Sequence, residues 1–206
     1  MEQTKEKKQI MTFTDRMRVW FKGVLDPIAG FLNRIGLMPN TMTILGLVGN
    51  TIGAILLSQG MMTWGGLLIL LMGPVDALDG TMARLRGMAG EFGAFVDSVT
   101  DRYSELIIFG GLLYYYVQQG SELYAILAFV SAAGSVLVSY IRARGQSLGK
   151  DTKVGVLTRM ERYLVLAPLL VLNLPNIALW IIAVLSNITA LQRIIDIRRQ
   201  YLQPNK

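Results

Sequence analysis

Four aspartates within 26 residues are the side chains in this chain best suited to chemistry: Asp76, Asp79, Asp97 and Asp101. If both segments are helical, the first two share one helix face and the last two share a face of the next helix. The flanking runs are apolar enough to cross a membrane, where each central carboxylate costs about 2.5–3.5 kcal/mol. Divalent cations can offset this cost, and oxygen ligands favour Mg²⁺ or Mn²⁺. The spacing therefore predicts two acidic faces that meet around metal ions.

Small residues accompany the aspartates on the same two faces. Gly80 and Ala83 fall on the face of the first pair, and Gly93 falls on the face of the second. Missing or short side chains there would leave room for a ligand to approach the helix backbone. Close packing between membrane helices is the other interpretation, because small residues are also frequent at such interfaces.

The chain contains no histidine and no cysteine. This composition excludes disulfides, thiolate nucleophiles, imidazole or thiolate zinc sites and any Ser-His-Asp triad. A general base must therefore be a carboxylate or a less usual group, and Asp101 is our candidate.

Composition predicts an all-α polytopic membrane protein. Hydrophobic residues make up 52% of the chain and the mean hydropathy is +0.45. The first ten residues lack the apolar stretch of a cleavable signal peptide. An amphipathic helix at Thr12–Leu25, interrupted by Asp26-Pro27, should lie in the membrane interface. Six transmembrane helices are expected to follow, near Thr41–Leu57, Thr63–Leu85, Phe92–Val117, Leu123–Ile141, Thr158–Leu174 and Ile177–Ile195.

Charge distribution predicts the orientation of these spans. The connectors after spans one, three and five contain no Lys or Arg, whereas all 20 basic residues lie at the other side or in the termini. By the positive-inside rule, both termini and the aspartates face the cytosol in a cell membrane. The net charge of +6 then reflects topology and contact with anionic membrane lipids. Nucleic acid is not an expected partner, because no soluble basic domain exists to bind it.

The aspartate window resembles the signature of the CDP-alcohol phosphotransferase family. That signature reads Asp-x-x-Asp-Gly-x-x-Ala-Arg, eight residues, then Gly-x-x-x-Asp-x-x-x-Asp. Every fixed position matches, at Asp76, Asp79, Gly80, Ala83, Arg84, Gly93, Asp97 and Asp101. Eight fixed residues in a defined frame rarely arise by chance, and the expected six-span arrangement with an interfacial helix is also similar to that family.

The resemblance implies an enzyme that transfers a phosphatidyl-type group from a CDP-lipid to an alcohol and releases CMP. Asp76, Asp79, Asp97 and Asp101 would hold two divalent cations, with Asp101 also acting as the base toward the acceptor hydroxyl. The chain would form a single membrane domain over residues 1–206, with a cytosolic or interfacial segment at 1–40 and the six-helix bundle at 41–200. Family resemblance further implies a homodimer.

The same resemblance implies a binding surface for the CDP-lipid beside the metals. Gly80, Ala83 and Gly93 would let the cytidine and pyrophosphate approach the helices, and Arg84 would place a cation near the phosphates. Asn40 and Thr43 belong to a Pro-Asn-x-x-Thr segment similar to one near the nucleotide in the family. Helix capping explains these two residues equally well.

The second half of the chain is similar to the phosphatidylinositol phosphate synthase branch and its archaeal archaetidylinositol phosphate synthase counterparts. In that branch, the positions of Arg142, Arg144, Arg159 and Arg193 hold the phosphate of the acceptor, inositol phosphate. Basic residues that extend from helix ends to the interface are the other interpretation. Arg102 argues against phosphatidylglycerophosphate synthases, which more usually have Lys after the last Asp. Two alternative functions are a family enzyme that uses another acceptor and a cation-coupled transporter. The sequence does not decide between ester-linked and ether-linked lipid tails, and it does not assign a role to Glu105.

Overall fold

The structure is a computed structural model that describes residues 13–88 and 90–202, with side chains from residue 23 onward. All regular elements in these ranges are α-helices, as the sequence predicts. Along the chain they are α1 Phe13–Arg34, α2 Pro39–Ser58, α3 Met62–Leu85, α4 Glu91–Gln118, α5 Glu122–Ser147, α6 Arg159–Val171 and α7 Pro175–Leu202. Thr12, both chain termini and the predicted cytosolic first ten residues lie outside the described ranges.

The predicted interruption of the first helix at Asp26-Pro27 is wrong. Helix α1 continues through Pro27 to Arg34. A proline inside a helix removes one backbone hydrogen bond, but packing of the following turns offsets that loss. Ala29 is fully buried in a small apolar cluster with Met42, Leu78 and Met82, which belong to α2 and α3. Tertiary contacts therefore decide the length of α1.

Four helices are long and apolar enough to cross a membrane: α2, α3, α5 and α7. They correspond to predicted spans one, two, four and six, although α5 and α7 each continue several residues beyond the predicted end. The count of six is not confirmed. Helix α4 carries at least three charged residues in every stretch of 18, and α6 has only 13 residues. The protein is a multi-pass membrane protein in which these two helices are less apolar or shorter.

Glycines bring α2 and α3 close together. Gly46, Gly49 and Gly53 recur along one face of α2 and are all buried. A Cβ atom at Gly65 of α3 would lie only 2.8 Å from the carbonyl oxygen of Gly53, so side chains there would separate the helices. This close approach places the functional end of α3 directly against the start of α2.

The segment between α5 and α6 folds over α7 and fixes where α6 begins. The Leu157 N–H donates to Thr189 Oγ1 at 3.0 Å, and the Val156 N–H donates to Gln192 Oε1 at 3.3 Å. Both acceptors lie on α7. Helix α6 therefore starts beside α7 and then packs along α3, with Arg159 and Arg162 in its first turn.

Candidate functional site

Asp79 is buried at the contact between α3 and α2. Its Oδ2 atom accepts a hydrogen bond of 2.7 Å from the Thr43 hydroxyl, and its Oδ1 atom accepts the N–H of Gly80. Helix α2 begins at Pro39, and no side chain caps its N-terminus with a hydrogen bond. The capping interpretation of Asn40 and Thr43 therefore has no support, whereas Thr43 contacts an aspartate of the site directly.

Asp76 lies against a glycine that the sequence analysis did not identify. Its Oδ1 atom occupies the space beside Gly46 of α2, where a Cβ atom would overlap the carboxylate. Helix geometry explains the pairing, because α2 and α3 approach closely along the glycine face. The spacing of Gly46, Gly49 and Gly53 is the sequence signal that could have revealed this surface.

Arg159 connects three helices at the site. Its Nη2 group pairs with Oδ1 of Asp101 on α4 and lies 3.8 Å from Oδ2 of Asp76 on α3. Asp101 is buried, and Arg102 Nη2 is a further cation 3.6 Å from its Oδ2 atom. The Arg159 side chain remains 47% exposed, so it can change position without unfolding the helix. An arginine predicted for the acceptor thus lies within the aspartate cluster.

Asp97 completes the acidic cluster at longer range. It is half-buried, and its charge is close enough to repel those of Asp76, Asp79 and Asp101. Among the described residues, no three carboxylates come close enough together to hold one ion. The ligand chemistry nevertheless fits divalent cations, because all donors are carboxylate oxygens and two of them already converge on the positive charge of Arg159.

The motif glycines face open space. A Cβ atom at Gly93 would meet no atom within 4 Å, and one at Gly80 would meet only Arg84 Nη1 at 3.5 Å. Close helix packing therefore does not explain these two glycines, in contrast to those of α2. Ala83 is half-buried, and the exposed Arg84 donates from Nη2 to Thr81 Oγ1 at 2.8 Å. The surface beside the aspartates can accommodate a ligand.

Three of the four predicted acceptor arginines have partners outside the cluster of Asp76, Asp79, Asp97 and Asp101. Arg142 pairs with Asp151 at 3.2 Å, and Arg144 Nη1 donates to Ser147 Oγ at 3.3 Å. The buried Arg193 donates from Nε to the Val154 carbonyl at 3.0 Å and from Nη1 to the Val138 carbonyl at 2.6 Å. Its charge also interacts with that of Arg142. Of the predicted set, only Arg159 contacts the aspartates.

Asp151 lies in the segment between α5 and α6, where its ionisation is set by Arg142. Partial burial disfavours the charged carboxylate, but the hydrogen bond and positive charge of Arg142 outweigh this and lower the pKa of Asp151. Gln146 Nε2 donates to the same oxygen at 3.1 Å. Asp151 is therefore an anion held in front of Arg142.

Glu105, whose role the sequence left open, pairs with a buried arginine. Arg162 is 2% exposed and contacts Glu105 Oε1 with Nε at 2.8 Å and Nη2 at 2.7 Å. Arg162 lies three residues after Arg159, but its position in the sequence alone does not indicate this partner. This ion pair ties the first turn of α6 to α4, one turn beyond Asp101.

Comparison with known proteins gives the family of this chain. Residues 36–191 match the family described as CDP-alcohol phosphatidyltransferase. The chain belongs to this family. A phosphatidylinositol phosphate synthase of Streptomyces avermitilis is 39% identical over 199 residues, which cover 89% of this chain and 81% of the relative. The family prediction, made from the eight fixed positions between Asp76 and Asp101, is thereby confirmed.

Solved structures of a family member share the fold. The phosphatidylinositol phosphate synthase PgsA1 of Mycobacterium tuberculosis with CDP-DAG bound superposes with a TM-score of 0.79 at 31% identity, over 84% of this chain and 93% of that one. The same protein in complex with manganese and citrate gives a TM-score of 0.79 at 31% identity, over 84% and 88% of the two chains.

Proposed function

We propose that this CDP-alcohol phosphatidyltransferase joins inositol phosphate to a CDP-lipid, CDP-diacylglycerol or its ether analogue, forming phosphatidylinositol phosphate and releasing CMP. The observation that carries this proposal is the position of Arg159, which lies between Asp76 and Asp101. An arginine suited to a phosphate therefore stands next to the carboxylate suited to a hydroxyl proton. An acceptor that carries both a phosphate and a hydroxyl group matches this pairing, and the similarity to phosphatidylinositol phosphate synthases favours inositol phosphate over glycerol 3-phosphate.

Asp76, Asp79, Asp97 and Asp101 would hold two divalent cations, Mg²⁺ or Mn²⁺. When bound, such ions neutralise the pyrophosphate and stabilise the oxygen of the leaving CMP. The relative whose structure contains manganese supports this choice. Thr43 would orient Asp79 through its hydrogen bond, and Gly46 would give Asp76 its place against α2.

The CDP-lipid would bind along the open face of α3 and α4. Gly80 and Gly93 leave space there, Ala83 adds only a methyl group, and the exposed Arg84 offers a cation to the phosphates. Asn40 and Thr43 at the start of α2 would line the same pocket. The relative whose structure has CDP-DAG bound supports a CDP-lipid as the substrate.

Asp101 would act as the general base. It accepts the proton of the acceptor hydroxyl, whose oxygen forms a new bond to the lipid-linked phosphorus while the bond to the CMP oxygen breaks. Arg159 would leave Asp101 to bind the acceptor phosphate. Arg142, Arg144 and Arg193 would complete that phosphate site, with Arg142 exchanging Asp151 for the substrate anion.

We further infer that the enzyme is a homodimer in the cell membrane, with its termini and active site in the cytosol. Single cysteines at Gln59 and Gln119 should react with an impermeant label on intact cells. Cysteines at the exposed Met88 and Leu148 should react only after permeabilisation. The reverse pattern would refute the orientation, and the mass of the crosslinked species would test the dimer.

An acceptor panel tests the proposed reaction. Purified protein, CDP-diacylglycerol and Mg²⁺ should release CMP with inositol phosphate and much less with free inositol or glycerol 3-phosphate. Arg159→Gln should raise the KM for inositol phosphate without a matching change for the CDP-lipid. Activity with glycerol 3-phosphate alone would refute the acceptor but keep the family chemistry. Cation-driven transport without CMP release would refute the transferase itself.

A further inference from the structure

Helix α3 contains a proline two residues before Asp76, where its backbone loses a hydrogen bond. In a regular helix, the N–H of residue 74 would donate to the carbonyl of Leu70. Pro74 has no N–H, and its ring crowds that carbonyl. Within a membrane, no water is at hand to satisfy a carbonyl left without a donor. Helix α3 therefore needs a donor from another element at this level.

Tyr163 of α6 supplies that donor. Its Oη atom lies 2.6 Å from the Leu70 carbonyl oxygen, to which it donates. The Tyr163 Oη atom also accepts the N–H of Gly73 at 3.1 Å, and it lies 3.1 Å from the carbonyl oxygen of Ile69. Gly73 makes this insertion feasible, because a Cβ atom there would overlap the phenol group. The tyrosine hydroxyl is thus built into the broken backbone ladder of α3.

The position of this repair matters for the aspartate site. Tyr163 lies one turn after Arg159 on α6, and Arg159 contacts Asp76. Asp76 in turn follows Gly73 by about one turn and has no spare room against Gly46. A small change in the direction of α3 after Pro74 would therefore move the Asp76 carboxylate away from its place.

We infer that Tyr163 is a positioning residue for the aspartate site. Its hydroxyl replaces the backbone donor missing at Pro74 and so fixes the direction of the segment that carries Asp76 and Asp79. Tyr163 acts through the backbone of α3 and makes no hydrogen bond to either carboxylate among the described residues. The inference rests on the proposed function, in which these aspartates hold divalent cations.

Tyr163→Phe tests the inference, because it removes only the hydroxyl group. Mn²⁺ affinity of the full-length protein in detergent, measured by electron paramagnetic resonance without substrates, should fall about tenfold. The kcat for CMP release should fall as well, with little change in the KM for inositol phosphate. Tyr116→Phe is the matched control, since the Tyr116 hydroxyl bonds Asn176 at the other end of α4. It should lower thermal stability and leave Mn²⁺ affinity unchanged.

A second background separates repair of the helix from a general loss of packing. Pro74→Ala restores the backbone N–H, so Leu70 regains its helical donor. In that background, Tyr163→Phe should weaken Mn²⁺ binding by less than about twofold. An equal loss in both backgrounds, or unchanged Mn²⁺ affinity in Tyr163→Phe, would overturn the inference alone. Absence of Mn²⁺ binding in the wild-type protein would overturn the proposed metal site and the inference with it.

Discussion

The aspartate face of α3 and α4 and the arginine group of α5 to α7 differ in how far the protein itself satisfies their charges. The aspartate face carries four carboxylates, and its glycines Gly80 and Gly93 border open space. On the arginine side, Arg142 has an acidic partner and Arg193 donates to two backbone carbonyls. The first region borders open space, where the proposed function places cations and the CDP-lipid, whereas Arg142 and Arg193 of the second region have all their described contacts within the protein.

Because of this difference, substitutions in the two regions should affect substrate binding and protein stability differently. Under the proposed function, removal of a charge on the aspartate face deletes a ligand of a divalent cation. On the arginine side, removal of a charge also breaks a protein contact, so a loss of stability accompanies any loss of acceptor binding. Arg159 belongs to both regions and is the point at which they meet.

The largest expected effect is on the aspartate face. Asp79→Asn should reduce CMP release to background, because the amide keeps the side-chain shape but loses the charge that a metal ligand needs. The Thr43 hydrogen bond can persist, so the variant should fold normally. CMP release at saturating Mg²⁺ is the measurement, and Asp196→Asn on α7 is the matched control. Full activity in Asp79→Asn would contradict the contrast drawn between the two regions.

Asp101→Asn should lower kcat about 10²–10⁴-fold, as expected for removal of a general base. Binding of the CDP-lipid should change much less, because three carboxylates remain. Turnover and equilibrium binding of the CDP-lipid must be measured on the same preparation. If kcat and CDP-lipid binding fell by the same factor, Asp101 would act in binding of the CDP-lipid and not as a general base.

The arginine side should give mixed effects. Arg144→Gln should raise the KM for inositol phosphate by roughly tenfold, because one charge-assisted hydrogen bond is lost. Arg193→Gln should raise the same KM and also lower the melting temperature, since Val154 and Val138 lose their donor. If Arg193→Gln changed stability alone, this guanidinium would belong to the scaffold and not to the phosphate site.

Gly93→Ala compares the open face with an ordinary helix surface. Alanine favours a helix by about 0.5–1 kcal/mol over glycine, so stability should rise slightly. The added methyl group should nevertheless weaken CDP-lipid binding several-fold if the ligand approaches the backbone there. Gly110→Ala on the same helix also meets no atom within 4 Å and is the matched control. Equal binding by both variants would remove Gly93 from the lipid site.

The smallest effect concerns Asp151. Because the pKa of Asp151 is lowered, its carboxylate stays charged at pH values where an ordinary aspartate begins to take up a proton. The ion pair with Arg142 therefore persists at neutral pH and is lost only when the pH falls through this lowered pKa. Asp151→Asn should lower the KM for inositol phosphate by up to about fivefold, because exposed ion pairs contribute at most about 1 kcal/mol. A higher KM would show that Asp151 helps the acceptor to bind.

The sequence predicted the parts of this molecule that depend on local spacing. The family follows from the frame between Asp76 and Asp101, and four of the six predicted spans follow from hydropathy along the chain. Local spacing could not reveal partners that are distant along the chain. Gly46 lies against Asp76, Glu105 pairs with Arg162, and Tyr163 completes the helix at Pro74 only because α2, α3, α4 and α6 converge. The predicted interruption of α1 at Asp26-Pro27 was wrong for the same reason, because contacts with α2 and α3 stabilise the helix beyond Pro27.

The place of Gly46 beneath Asp76 has a consequence for mutational tolerance. Gly46 has no functional group, yet any other residue there would push the Asp76 carboxylate out of its position. In a saturation mutagenesis library, in cells whose growth depends on the product of this enzyme, position 46 should therefore be as intolerant of substitution as the four aspartates. Neighbouring lipid-facing positions such as Leu45 and Val48 should accept many apolar substitutions. Position 46 would then tolerate as few substitutions as the aspartate positions, although glycine contributes only a hydrogen atom there.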